Sequence, residues 1–135
     1  MSDFNTQIIE EFRSNDGKVG GMFEHATLLL LRHTGRKSGK PFVAPLVYFA
    51  DGERLVIVAS KGGAPENPEW YNNLMTSKET SIEIGTETKT VRAIELTGDE
   101  RDTMWALIVS KSPGFGEYQQ NTKRLIPLIG LHPVS

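Results

Sequence analysis

A chain of 135 residues, 38% hydrophobic and 24% charged, is long enough for one domain with a real core. Its formal net charge of −2 gives no general attraction to nucleic acid, and the lack of cysteine excludes disulfides, thiol nucleophiles and thiolate metal sites. No stretch reaches the length of a membrane span and the start carries no secretory apolar region, so a cytoplasmic protein is expected.

Residues 1–27 are polar and dotted with glycine. Ile8, Ile9 and Phe12 fall at i, i+1 and i+4, which predicts one or two helical turns over 6–13. The simpler reading is a short helix packed on the domain; the sharper one is a flap that touches a membrane or a substrate. Gly17, Gly20 and Gly21 predict a flexible connection, and the domain proper is expected over 28–135.

Three apolar runs then predict strands over 28–33, 41–50 and 55–60. Asp51-Gly52 joins the last two as a tight hairpin, because both residue types tolerate positive φ. Pro45 demotes its region to an edge or a bulge, since proline offers no N–H to a ladder. After a Gly-rich loop at 61–65, Asn67-Pro68 reads as an N-cap with proline at the first helical position, opening a helix over 68–76. Strands are predicted over 80–84 and 88–96 about a turn at Gly85-Thr86. Thr97-Gly-Asp-Glu100 fits a capping box, with a helix over 99–110 that places Met104, Leu107 and Ile108 on one face. A loop at 112–116, a helical turn at 117–122 and a last strand over 125–131, with Pro127 marking an edge, complete the chain. Six short strands without βαβ alternation predict a mainly β, α+β fold: a small antiparallel barrel with helices on its outside.

Few residues carry chemistry. His25, His33 and His132 lack metal-ligand spacing, and His33 alternates with core positions, which reads as structural. No Gly-x-Ser-x-Gly elbow occurs. The run from Gly35 to Lys40 is one residue too short for a nucleotide triphosphatase loop and is followed by proline. Two features remain. The 34–40 loop holds two glycines, a serine and three cations within seven residues, the composition of a loop that takes an anion. Ser60-Lys-Gly-Gly-Ala-Pro65 also follows a strand and leads into Pro68-Glu-Trp-Tyr-Asn-Asn73. Lys61 with the backbone of Gly62 and Gly63 suits an anionic or carbonyl-rich ligand, and Trp70 and Tyr71 offer flat surface. Equally, the glycines form a plain turn, Lys61 is solvated and Trp70 is core.

Thr34-Gly-Arg-Lys-Ser-Gly39, Pro45-Leu46, Val58-Ala-Ser-Lys-Gly-Gly-Ala-Pro65, Pro68-x-Trp-Tyr-Asn-Asn73, Tyr118-Gln119 and Arg124-x-Ile-Pro127 occur in that order. In order and spacing the chain resembles the deazaflavin-dependent nitroreductase family from about residue 29 to 134. The resemblance implies a split β-barrel of the FMN-binding type. It also implies binding of coenzyme F420, an 8-hydroxy-5-deazaflavin with a polyglutamate tail, and hydride transfer to quinones, conjugated enones or lactones, or nitroaromatics.

Residue by residue, the resemblance assigns the phosphate and tail to Arg36, Lys37 and Ser38, in agreement with the charge of the loop. Phe42, Val43, Ala44, Pro45, Leu46 and Val47 match the strand whose backbone runs along the coenzyme. Val58, Ala59, Ser60, Lys61 and Gly62 match the segment around the ring and its linker. Glu69, Trp70, Tyr71, Asn72 and Asn73 match the start of the covering helix. Tyr118 matches a tyrosine near ring and substrate, with Phe115 the one aromatic just upstream of it. A deazaflavin carries carbon at position 5 and passes hydride, so the protein must also stabilise charge on the acceptor oxygen; Ser60 and Tyr118 are the candidates. Two other readings of the same barrel are an FMN-dependent reductase and a non-catalytic deazaflavin-binding protein. The expected partner is a small electron-poor molecule, with no nucleic acid. Contact with a membrane is expected only through residues 1–27 or a lipid-soluble quinone, and the expected state is a monomer or homodimer.

Overall fold

The computed structural model describes residues 3–15 and 28–134; Gly17, Gly20, Gly21 and His25 lie outside them. The strands are β1 (Leu28–Thr34), β2 (Pro41–Asp51), β3 (Arg54–Val58), β4 (Glu79–Ile84), β5 (Glu87–Glu95) and β6 (Leu128–Pro133). The helices are α1 (Asp3–Ser14), α2 (Glu69–Ser77), α3 (Gly98–Lys111) and α4 (Gly114–Gln120), with a 3-10 turn at Lys61–Gly63. The strands close an antiparallel barrel in the order β1-β2-β3-β6-β5-β4, with β1 and β4 sealing it where Leu30 faces Glu83 and Leu31 faces Ile82.

Strand alternation divides the apolar residues between the barrel interior and the surfaces under the helices. Leu29, Leu31, Ile57, Ile82, Val91, Ala93, Ile129 and Leu131 fill the interior, and α2 adds Trp70 and Leu74 to them. On the outside, Val56, Val58 and Leu128 pack with Met104 and Ile108 of α3. Leu28 and Leu30 pack with Ile8, Ile9 and Phe12 of α1, flanked by Val43 and Val47. Four consecutive leucines in β1 are thus buried because both faces of that strand are covered. Arg13 of α1 adds a two-pronged pair to Glu83 of β4, at 2.7 and 3.1 Å. Among the described residues no helix is long and apolar enough to cross a membrane.

Antiparallel order sorts the connections by length. At one end lie two tight hairpins, Gly52-Glu53 and Gly85-Thr86, each with positive φ at its glycine. Asp51 is therefore the last paired residue and not part of the turn; its carboxylate takes Arg54 Nη2 at 2.8 Å. The other end receives the remaining connections between the strands: residues 35–40, 59–78 and 96–127.

Several local expectations are corrected. The last strand begins at Leu128, so Pro127 precedes it, and β6 is a central strand between β3 and β5. Asn67 does not cap α2; its Oδ1 accepts from Arg124 instead. Thr97 stands at the start of α3 without a side-chain cap, and Glu100 reaches Arg54 at 3.4 Å. Leu107 is 44% exposed, and Arg101 is the residue buried beside Met104 and Ile108. The expected loop at 112–116 is partly helix, since α4 starts at Gly114. Pro45 fits its place: β2 pairs with β1 over 41–47 and with β3 only over 48–51, so the proline sits where the strand has a single partner.

Candidate functional site

The 35–40 loop is drawn into a tight turn by its own backbone. Gly35 N–H donates to the Lys40 carbonyl at 2.9 Å, and Gly39 N–H returns to the Gly35 carbonyl at 2.8 Å. Lys40 N–H donates to Ser38 Oγ at 3.2 Å, and Gly39 adopts φ +72. Among the described residues no protein atom accepts the N–H of Lys37 or Ser38. Two N–H groups without a protein acceptor beside two adjacent cations give this turn the chemistry that suits an anion.

Helix α2 buttresses this loop across 37 positions of sequence. Asn73 is 4% exposed, and its Oδ1 accepts Arg36 N–H at 3.1 Å and Arg36 Nη1 at 3.5 Å. Arg36 Nη1 also pairs with Glu69 at 2.7 Å. That hydrogen bond and charge hold the Glu69 carboxyl below its ordinary pKa. The other side of the Asn73 amide meets His33 Nδ1 at 2.9 Å, and the His33 ring stacks on Phe42 with centroids 5.3 Å apart. Together these residues border a groove of about 430 Å³, lined by Gly35, Lys37 and Ser38 as well. His33 is thus a wall of the groove, where strand alternation suggested a structural position. Its pKa is lowered by burial.

The second part of this end is held by Arg124. Its Nε donates to the Ala64 carbonyl at 2.9 Å, its Nη2 to the Ser60 carbonyl at 2.7 Å, and its Nη1 to the Ala59 carbonyl at 3.2 Å and to Asn67 Oδ1 at 2.8 Å. One planar guanidinium therefore holds the whole 59–67 connection. The motif containing Arg124 was legible in sequence, but its role required the long-range contacts. Gln119 secures the arginine's own segment, donating to the Arg124 carbonyl at 2.7 Å and accepting Ile126 N–H at 3.0 Å.

Helix α4 rests on the turn after Ser60. At Gly63, with φ +85, a Cβ would stand 2.8 Å from the Tyr118 carbonyl oxygen, so only glycine allows this approach. Tyr118 is 38% exposed and meets Phe115 edge to face at 5.9 Å, while Phe115 meets Phe49 in the same way at 6.1 Å. Ser60 gives its carbonyl to Arg124 and Gly63, and Lys61 Nζ pairs with Glu66 at 3.0 Å.

The fold therefore gathers Arg36, Lys37, Ser38, Phe42, Glu69 and Asn73 at one groove, and sets Tyr118's helix against the turn following Ser60. Other side chains in the predicted set are occupied elsewhere. Trp70 and Ala59 are buried in the interior core, and Val58 under α3. Ala44 and Leu46 pack on the interior, whereas Val43 and Val47 face α1. Tyr71 donates its hydroxyl to Glu95, and burial followed by that contact pushes its pKa up to about 12. Ala59, Val58 and Trp70 are buried, while Val43, Ala44, Leu46, Val47 and Tyr71 keep part of their side chains accessible.

Residues 6–133 match the family described as F420H(2)-dependent quinone reductase. A Mycobacterium tuberculosis H37Rv protein, provisionally named as an F420H(2)-dependent quinone reductase, is 46% identical over 105 residues, covering 78% of this chain and 88% of that one. A solved structure described as an F420-H2 dependent reductase superposes with a TM-score of 0.70 at 38% identity, covering 78% and 93% of the two chains. Another, described as a domain-swapped dimer, gives a TM-score of 0.72 at 35% identity over 94% and 93%. With a six-stranded split barrel and a match over nearly its whole length, the chain belongs to the F420H(2)-dependent quinone reductase family, whose cofactor is coenzyme F420.

Proposed function

We propose that this protein transfers hydride from reduced coenzyme F420 to an electron-poor acceptor: a quinone, a conjugated enone or lactone, or a nitroaromatic. The observation that carries the reading is the cationic loop at 35–40, held open by Asn73 beside a groove with an aromatic wall. Its donor set suits the coenzyme's anionic half: two cations, two free N–H groups and the Ser38 hydroxyl. Arg36, Lys37 and Ser38 would hold the phosphate and tail, and Phe42 would lie along the coenzyme. The backbone of 43–47 and 58–62 would line its ring and linker, under the first turns of α2.

When bound, the reduced deazaflavin supplies a hydride from a ring carbon. The chain's own task is placement and charge. Arg124 keeps the 59–67 connection in one shape, which supports a fixed distance between donor and acceptor. Tyr118, exposed on α4, offers a phenol proton to the oxygen that gains charge as the acceptor is reduced, with the Ser60 hydroxyl as the second donor.

The test is to mix the protein with reduced coenzyme F420 and a quinone and follow reoxidation of the coenzyme. Turnover, together with tighter binding of F420 than of FMN, is expected. Tight F420 binding without turnover against any of the three acceptor classes would replace the enzyme with a coenzyme-binding protein.

A further inference from the structure

We propose that His33 is a ligand-facing hydrogen-bond donor, its Nε2–H set by Asn73 and presented to an anionic oxygen of whatever fills the groove. The inference rests on the reading of this groove as the site of an anionic coenzyme.

The argument begins at Arg36. Its backbone N–H can only donate, so the Asn73 atom 3.1 Å away is the acceptor, Oδ1. The Arg36 guanidinium at 3.5 Å from the same atom requires the same orientation, since it too only donates. Two contacts thus fix the amide, which leaves Nδ2 facing His33 Nδ1 at 2.9 Å. An amide nitrogen has only protons to give, so Nδ1 accepts and the ring proton resides on Nε2.

Protonating Nδ1 would set two donors face to face. Burial of the ring also disfavours the imidazolium, in the same direction. The charged groups that share the groove are Arg36 and Lys37 from the loop and Glu69 from α2; Arg32 adjoins His33 in β1. Among the described residues Nε2–H has no protein acceptor, and it is not an orphaned buried atom. Stacking on Phe42 keeps the ring from turning away. His33 is therefore a pre-oriented neutral donor in a groove that also holds Arg36, Lys37 and the carboxylate of Glu69, which Arg36 neutralises, and the ligand chemistry it fits is a phosphate or carboxylate oxygen.

Two variants and one spectrum test this. Nitrogen-resolved NMR of the imidazole in the wild-type protein should show His33 as the Nε2–H tautomer at pH 7, with a pKa below that of a free histidine. Asn73→Asp preserves the acceptor for Arg36 N–H and replaces the donor facing His33 with a second acceptor. It should move the proton to Nδ1 or produce the imidazolium, with the His33 pKa rising above its wild-type value. A wild-type Nδ1–H tautomer, or an Asn73→Asp spectrum unchanged from wild type, overturns the Asn73 arm.

His33→Phe keeps the flat ring and removes the donor. Binding is read by fluorescence with coenzyme F420 and with the bare deazaflavin riboside that lacks phosphate and tail. About a tenfold weakening for F420, with no change for the riboside, is the expected result, the size of a charge-assisted hydrogen bond. Equal binding of F420 by wild type and His33→Phe removes His33 from the site. A wild-type protein that binds neither probe instead refutes the coenzyme reading, while the tautomer measurement still stands.

Discussion

The two ends of the barrel are built on different principles. The hairpin end is local: Gly52-Glu53 and Gly85-Thr86 close strands that are neighbours in sequence, and a Cβ at Gly52 or Gly85 would meet nothing within 4 Å. The opposite end is assembled from segments far apart. Asn73 reaches Arg36 across 37 residues, and Arg124 reaches Ser60 across 64. Its two arginines also divide the work. Arg124 directs its donors to oxygens of the chain itself, which fixes a shape. Arg36 keeps a partly exposed guanidinium, 31% accessible and paired to the open carboxylate of Glu69, which an incoming anion can displace. The lesson is that one arginine of this end is committed to architecture while the other keeps a partly accessible guanidinium, as the proposed binding of an anion requires.

The sharpest way to break this contrast is Arg124→Ala. Three carbonyls and the Asn67 amide lose their donor at once, and a loss of about 2–4 kcal/mol in unfolding free energy is expected in a denaturant titration. Arg124→Lys should restore little of it, because one ammonium cannot reproduce a planar fork. A lysine variant as stable as wild type would show that charge alone, and not the fork, organises the loop.

Next in size is Gly63→Ala, whose new methyl group would stand 2.8 Å from Tyr118 backbone oxygen at φ +85. The expected loss is about 2–3 kcal/mol, since α4 must move away to admit it. Thermal unfolding measures this directly, and turnover should fall with it.

Tyr118→Phe should leave stability and coenzyme affinity close to wild type, because the phenol hydroxyl has no protein partner among the described residues. Turnover with quinones and enones should fall roughly ten- to a hundredfold, the effect of about 1.4–2.7 kcal/mol in one transition-state hydrogen bond. Undiminished turnover would pass the donor role to Ser60 or to water.

Arg36→Ala should weaken F420 binding by about 1 kcal/mol, less than an unpaired cation would contribute, because the wild-type guanidinium must share or release Glu69. Fluorescence titration at low and high salt should show the difference shrinking as salt rises.

The smallest effect belongs to the hairpin end. Gly52→Ala imposes the same sign of φ as Gly63→Ala but meets no neighbour, so about 1 kcal/mol of stability is the expected cost, with no change in coenzyme binding. If the two glycine variants lost equal stability, the contact of α4 with the 3-10 turn would carry no weight.

Sequence alone determined much of the barrel because its signals are short in range. Alternation marked the strands, and glycine marked both hairpins. The amphipathic Ile8–Ile9–Phe12 pattern marked the helix that covers β1. The charge and glycine content of the loop with Arg36 and Lys37 are equally readable without coordinates, and they carry the proposal that it takes an anion. Tertiary structure alone decided what surrounds that loop. His33 alternates like a core residue in β1, yet its position beside Asn73 and Phe42 makes it a wall of the groove. Asn67 has the identity of a helix cap, but Arg124 offers it a charged donor, and that bond prevails over the local one. Trp70 fits ligand surface and core equally by its sequence, and α2 inserts it into the barrel core. Asn73 lies 40 residues from His33 and Arg124 lies 57 from Asn67, whereas a periodicity or a cap motif carries information about only the nearest few.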